Sequence, residues 1–263
     1  MRKFFRRLGW GLLALLVLLV AIGLWKREEL TRLMAVNSLF AEDRIVHNFS
    51  NMGELFLTAH MEGGTPSVLP VGAEAAMPEG FEDWLEERSV TGIVVLRDGE
   101  IVHEQYRLGT GQDDARISWS VAKSALSLLL GTLVADGTIP DLDAPVTQYV
   151  PELRGSAYEG ATIRNVLRMS SGVAFNEDYL DFWSDINRMG RVLALGGSMD
   201  GFAAGQTGRR AAAPGTDWHY VSIDTHVIGM VIRGATGRSI PDLLSERIFQ
   251  PLGLDRDPTY VTD

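Results

Sequence analysis

The stretch Ile117 to Gly137, ISWSVAKSALSLLLGTLVADG, decides how the rest of the chain is read. Its apolar spacing predicts a helix from about Ser120 to Asp136, closed by Gly137 in the position just beyond a helix end. Leu126, Leu129, Leu130 and Leu133, with apolar neighbours on the other sides, predict a helix in the middle of a domain. At the start of this apolar run stands Lys123, three residues after Ser120.

The chain holds only three lysines, and Lys3 and Lys26 flank an apolar segment at the N-terminus. Lys123 is therefore the sole lysine of the body. Arginine is always charged, whereas burial lowers a lysine's pKa, and only a neutral amine can act as a base. Positions three apart share a helix face, so Lys123 stands within reach of the Ser120 hydroxyl. Amides at the helix start favour negative charge developing there. The pair is a candidate activated nucleophile. The alternative is a lysine whose stem covers apolar surface and whose amine reaches water. A Ser-x-x-Lys match alone is weak, and its surroundings must decide.

With 263 residues and 46% hydrophobic content the chain can bury a sizeable core. A net charge of -10, with no basic cluster after the first 27 residues, excludes a nucleic-acid surface. The absence of cysteine excludes disulfides, thiolate metal sites and cysteine nucleophiles. No residue spacing calls for a metal or another cofactor.

Leu8 to Trp25 is an uncharged run preceded by Arg2, Lys3, Arg6 and Arg7. As a helix it spans about 27 Å, enough to cross a bilayer core. An uncleaved membrane anchor is the expectation, with a cleaved secretory signal ending near Ala21-Ile22-Gly23 as the alternative. The basic excess predicts a cytoplasmic N-terminus and a body on the outer, periplasmic or extracellular, side. The chain then divides into an anchor or signal (1–27), an irregular tether and lead-in (28–80) and a folded domain (81–263).

Within that domain, FEDWLEER (81–88) has the spacing of a short amphipathic helix. TGIVVLRDGEIVHEQYRLG follows as two strands joined at Arg97-Asp98-Gly99-Glu100, a strong signal for a tight hairpin. DLDAPVTQYVPEL is a proline-punctuated loop, and ATIRNVLRMSSGV a helix stopped at Ser170-Ser171-Gly172. Helical patterns resume over 220–236 and 239–249.

These segments, in this order from about Thr91 to Leu254, resemble the serine β-lactamase and penicillin-binding-protein superfamily. The similarity is to the branch with class C β-lactamases, family VIII esterases, D-aminopeptidases and 6-aminohexanoate-dimer hydrolases, and MSSGVAFNEDY is closest to the last of these. The resemblance implies an α+β fold, an antiparallel sheet packed on a helical region with a buried nucleophile helix. It implies a serine hydrolase acting on a small-molecule or peptide-like ester or amide. Ser120 would be acylated, and Lys123 would accept its proton. Tyr220-Val221-Ser222 matches the family's second motif. Tyr220 would pass a proton to the leaving group, with Lys123 keeping the phenol acidic. Ser222 would hydrogen-bond near Lys123 or the substrate. Asp178 and Tyr179 are candidates for contacting an amine or amide substrate, and His219 for lining the cleft, although a lone histidine is more often structural.

The family's third motif, Lys-Thr-Gly or a His-x-Gly equivalent, does not occur after Ser222. The expectation is a C-terminally truncated domain with an incomplete sheet, in which the hairpin has an uncovered edge and the central helix lacks a floor. A non-catalytic relative or binding module that keeps the cleft is therefore the second reading.

Overall fold

The computed structural model of the protein describes residues 2–263. Helix α1 (Arg2–Trp25) has apolar side chains exposed along its whole length, and it is long and apolar enough to cross a membrane. Residues 61–80, which hold the polar breaks, are irregular as expected, but residues 28–60 are not. They form α2 (Arg27–Asn37), α3 (Ile45–Ser50) and strand β1 (Leu57–His60). Leu39, Met52, Leu55 and Phe56 close a small core of their own with Ala194, and Ile117 packs on it. These apolar residues lie too close to turns to show a helical or strand period, which is why their pattern reads as irregular.

The FEDWLEER helix is α4 (Phe81–Glu87), and the hairpin is β2 (Gly92–Arg97) and β3 (Glu100–Tyr106), paired antiparallel with Arg97 opposite Glu100. Asp98 and Gly99 both have positive φ, 55° and 85°, the geometry whose twist matches the flanking strands. The outer side of β3 is partly covered by residues 70–75, through Ile101 and Val102. Among the described residues β2 has no second strand partner. A last strand, β4 (Thr259–Thr262), pairs with β1 and not with the hairpin. The expected single incomplete sheet is thus two separate two-stranded ladders.

The remaining helices are α5 (Val121–Ala135), α6 (Ile163–Leu167), α7 (Asp185–Ala194), α8 (Met199–Ala204), α9 (Ser222–Thr236) and α10 (Ile240–Leu244). A wider π turn over Ser245–Phe249 continues α10. The main core packs Leu126, Leu129, Leu130 and Leu133 of α5 with the apolar residues of α9 and with Tyr158 and Ile163. The central place expected of α5 belongs to α9, which buries Ile223, Val227, Ile228, Val231 and Ile232 on several sides. Gly234 lets α9 approach the Tyr149 carbonyl so closely that a Cβ there would collide with it. α5 instead leaves Val121 and Leu128 69% and 61% exposed. Its apolar surround is therefore covered on one side only.

Candidate active site

Three segments far apart in sequence meet at the N-terminal end of α5. Ser120 is the N-cap residue there, directly before the first helical residue. Lys123, one turn on, donates from Nζ to Ser120 Oγ at 3.0 Å. Tyr220, on the extended approach to α9, places its Oη 2.8 Å from the same Oγ. The Lys123 ammonium also lies 5.3 Å from the centre of the Tyr220 ring. Lys123 is only partly buried, unlike the fully sheltered lysine that its apolar sequence surroundings predict. The open side of α5 is the reason.

Burial of the Tyr220 phenol raises its pKa, but the hydrogen bond to Ser120 and the Lys123 ammonium outweigh that penalty. The net direction is below the ordinary tyrosine value. Tyr220 thus ionises more readily than an ordinary tyrosine.

The third segment is the loop from Met169 to Ser184. Its base is anchored by Asp185, which receives two bonds of 2.6 Å from Arg209 and one of 2.9 Å from the Asn176 amide. Glu177 reaches from this loop to the first residue of α9. It accepts from the Ser222 amide at 2.5 Å and from the Ser222 hydroxyl at 3.2 Å. Ser222 is buried, and its hydroxyl is directed to Glu177 instead of Lys123. Glu177 was not singled out in the sequence. The sequence candidate was its neighbour Asp178. Asp178 instead accepts from the Leu180 amide at 2.9 Å and caps an exposed turn. Tyr179 is 53% exposed, and partial burial together with the Glu177 carboxylate pushes its pKa up. His219 donates from Nε2 to the Phe175 carbonyl at 3.1 Å, so it braces the loop and makes no hydrogen bond to Ser120, Lys123 or Tyr220. Among the described residues no cluster of histidine and carboxylate side chains could hold a metal ion.

Asp224, two residues beyond Ser222, is fully buried. Its Oδ1 accepts from Tyr158 Oη at 2.8 Å, and Oδ2 has no partner. Burial pushes its pKa up to about 7, despite the opposing hydrogen bond from Tyr158.

A serine at a helix start, bonded to a lysine one turn on and to a tyrosine 100 residues away, is the arrangement that the motif order predicts. The Beta-lactamase family model matches residues 81–262. The chain belongs to the Beta-lactamase family. It is 33% identical over 224 residues to the 6-aminohexanoate-dimer hydrolase of Paenarthrobacter ureafaciens, covering 82% of this chain and 57% of that protein. It is 32% identical over 210 residues to Esterase EstB of Burkholderia gladioli, covering 69% of this chain and 50% of the esterase. A solved structure from Bacillus anthracis, provisionally named a 6-aminohexanoate-dimer hydrolase, has the same fold. Its TM-score is 0.75 at 20% identity, over 86% of this chain and 63% of that one. The chain therefore spans little more than half the length of the relatives it matches. Within this Beta-lactamase domain the mixed helical and antiparallel architecture agrees with the resemblance drawn from the sequence.

Proposed function

We propose that the protein is a serine hydrolase that cleaves an ester or amide through an acyl-enzyme on Ser120. The observation that carries this reading is the convergence of Tyr220 Oη and Lys123 Nζ on one serine oxygen, at 2.8 and 3.0 Å. Because Lys123 Nζ donates to Ser120 Oγ, this reading moves the role of proton acceptor from Lys123, where the resemblance put it, to Tyr220 Oη, which shares a hydrogen bond with the same oxygen. The reaction then runs in two halves. Ser120 Oγ attacks the carbonyl carbon as its proton passes to Tyr220 in its phenolate form, whose formation the Lys123 ammonium assists. The bond to the leaving alcohol or amine breaks, and Tyr220 returns the proton to that group. Water attacks the acyl-serine next, giving its proton to Tyr220. Collapse releases the acid and restores the Ser120 hydroxyl. The amides at the start of α5 favour the charge that develops nearby.

The substrate is a small-molecule or peptide-like ester or amide. In this reading α1, long and apolar enough to cross a membrane, serves as the anchor, and the basic excess before it supports a body on the outer side. The test is hydrolysis of a p-nitrophenyl ester by the purified chain and by Ser120→Ala. Loss of turnover in the variant is expected, and equal turnover would overturn the assignment. The open side of α5, with Val121 and Leu128 exposed, favours a second reading in which the module binds substrate without turning it over. That reading predicts no hydrolysis by either protein.

A further inference from the structure

The nucleophile turn holds an unusual backbone. Trp119, the residue before Ser120, has φ of +44°, a left-handed conformation that is costly for a bulky side chain. Such a conformation persists only where its surroundings over-determine it. The surroundings come from the segment between α2 and the end of α3. The Trp119 indole stacks on Phe40, with ring centres 5.7 Å apart and planes 19° apart. It meets Phe49 edge to face at 5.3 Å. Phe40 and Phe49 also contact each other edge to face at 6.0 Å, so the three rings form one closed cluster.

The backbone is tied to the same place. The Ile117 amide donates to the Phe49 carbonyl at 2.8 Å. The Arg116 guanidinium donates to the Val46 carbonyl at 2.5 Å and to Ser50 Oγ at 2.8 Å. Residues 116, 117 and 119, immediately before the serine, are thus each fastened to α3. All of these anchoring residues precede residue 81, where the Beta-lactamase match begins.

We propose that Phe40 and Phe49 are positioning residues for the nucleophile turn: they hold Trp119 in its left-handed conformation and so keep Ser120 Oγ on Tyr220 and Lys123. This rests on the reading of Ser120 as nucleophile, because only then does the position of its oxygen matter for chemistry. Rotation at Trp119 would swing the Ser120 peptide and carry Oγ out of reach of both partners. A displacement of about 1 Å is enough to lower reactivity on the order of a hundredfold.

The experiment uses the full chain in detergent micelles and has two readouts, amide hydrogen exchange over residues 117–123 and the rate at which a fluorophosphonate labels Ser120. In the Phe40→Ala/Phe49→Ala double variant, exchange over 117–123 is expected to accelerate while α9 stays protected. Labelling should slow at least roughly tenfold, and Phe49→Tyr, which keeps the ring, should behave as wild type. Trp119→Gly should label several-fold faster than Trp119→Ala, because glycine adopts positive φ without the Cβ penalty. Wild-type exchange over 117–123 in the double variant would overturn the proposal. If the double variant loses α9 protection as well, the glycine and alanine variants decide, and equal labelling and exchange in those two would overturn it. If wild type itself fails to label, the nucleophile reading falls, and the exchange comparison alone decides whether the rings hold the turn.

Discussion

Ser222 gives both its main-chain amide and its hydroxyl to one carboxylate, that of Glu177. This clamp ties the loop after Met169 to the start of α9, two residues from Tyr220. Glu177→Ala should therefore release Tyr220 from its place beside Ser120 and lower kcat/KM by roughly ten- to a hundredfold. Steady-state kinetics on a chromogenic ester checks this, with the loss expected in kcat more than in KM.

The charge of Glu177 acts separately from its bonds. It opposes ionisation of Tyr220, whereas the Lys123 ammonium favours it. Glu177→Gln should move the rising limb of the rate against pH to lower pH, because removing a nearby negative charge lowers the phenol's pKa. Lys123→Met should move that limb to higher pH and reduce the rate by roughly a hundredfold or more. Opposite shifts in the two variants are expected. The pH dependence of kcat/KM, or the tyrosine Cζ resonance assigned with Tyr220→Phe, measures them.

Asp224 makes stability depend on pH. Its folded pKa is raised to about 7 by burial, above its ordinary value of 3.8. The folded state therefore holds the proton more tightly than the unfolded state. Its contribution to stability is fully present below the unfolded pKa, falls as pH rises from about 4 and is lost above about 7. Asp224→Asn should flatten the Tm of the protein across that window, with the largest gain relative to wild type near pH 7. Thermal unfolding at pH 4, 5.5 and 7 checks it.

Tyr158 supplies the 2.8 Å hydrogen bond to that carboxyl, and Ser171 lies close enough to favour its ionised form as well. Tyr158→Phe removes that bond from the buried acid and should cost about 1–3 kcal/mol of stability. Denaturant unfolding measures the loss, and the same substitution made in Asp224→Asn should cost less.

Much of the helical half was legible because its signals are local. The Asp98-Gly99 turn and the Gly137 helix stop each depend on a few adjacent residues. Residues 28–60 were not legible for the opposite reason. β1 finds its partner at 259–262, and a pairing about two hundred residues distant leaves no local mark. The burial of α9 in preference to α5 has the same origin, since both helices carry enough apolar residues to be central. At the site, helical spacing suggests the Ser120–Lys123 pair, whereas Tyr220 is suggested only by the resemblance of Tyr220-Val221-Ser222 to the family's second motif. Glu177 was passed over for Asp178 because side-chain direction in a loop is decided by its turns, and the Leu180 amide claims Asp178.

The central claim is that Ser120 is an activated nucleophile. Treatment of the purified chain with a fluorophosphonate, followed by peptide mass analysis, tests it most directly. The predicted result is one covalent adduct on the peptide containing Ser120, formed more slowly in Lys123→Met and absent in Ser120→Ala. No adduct on that peptide, or the same adduct at another residue persisting in Ser120→Ala, would contradict the account.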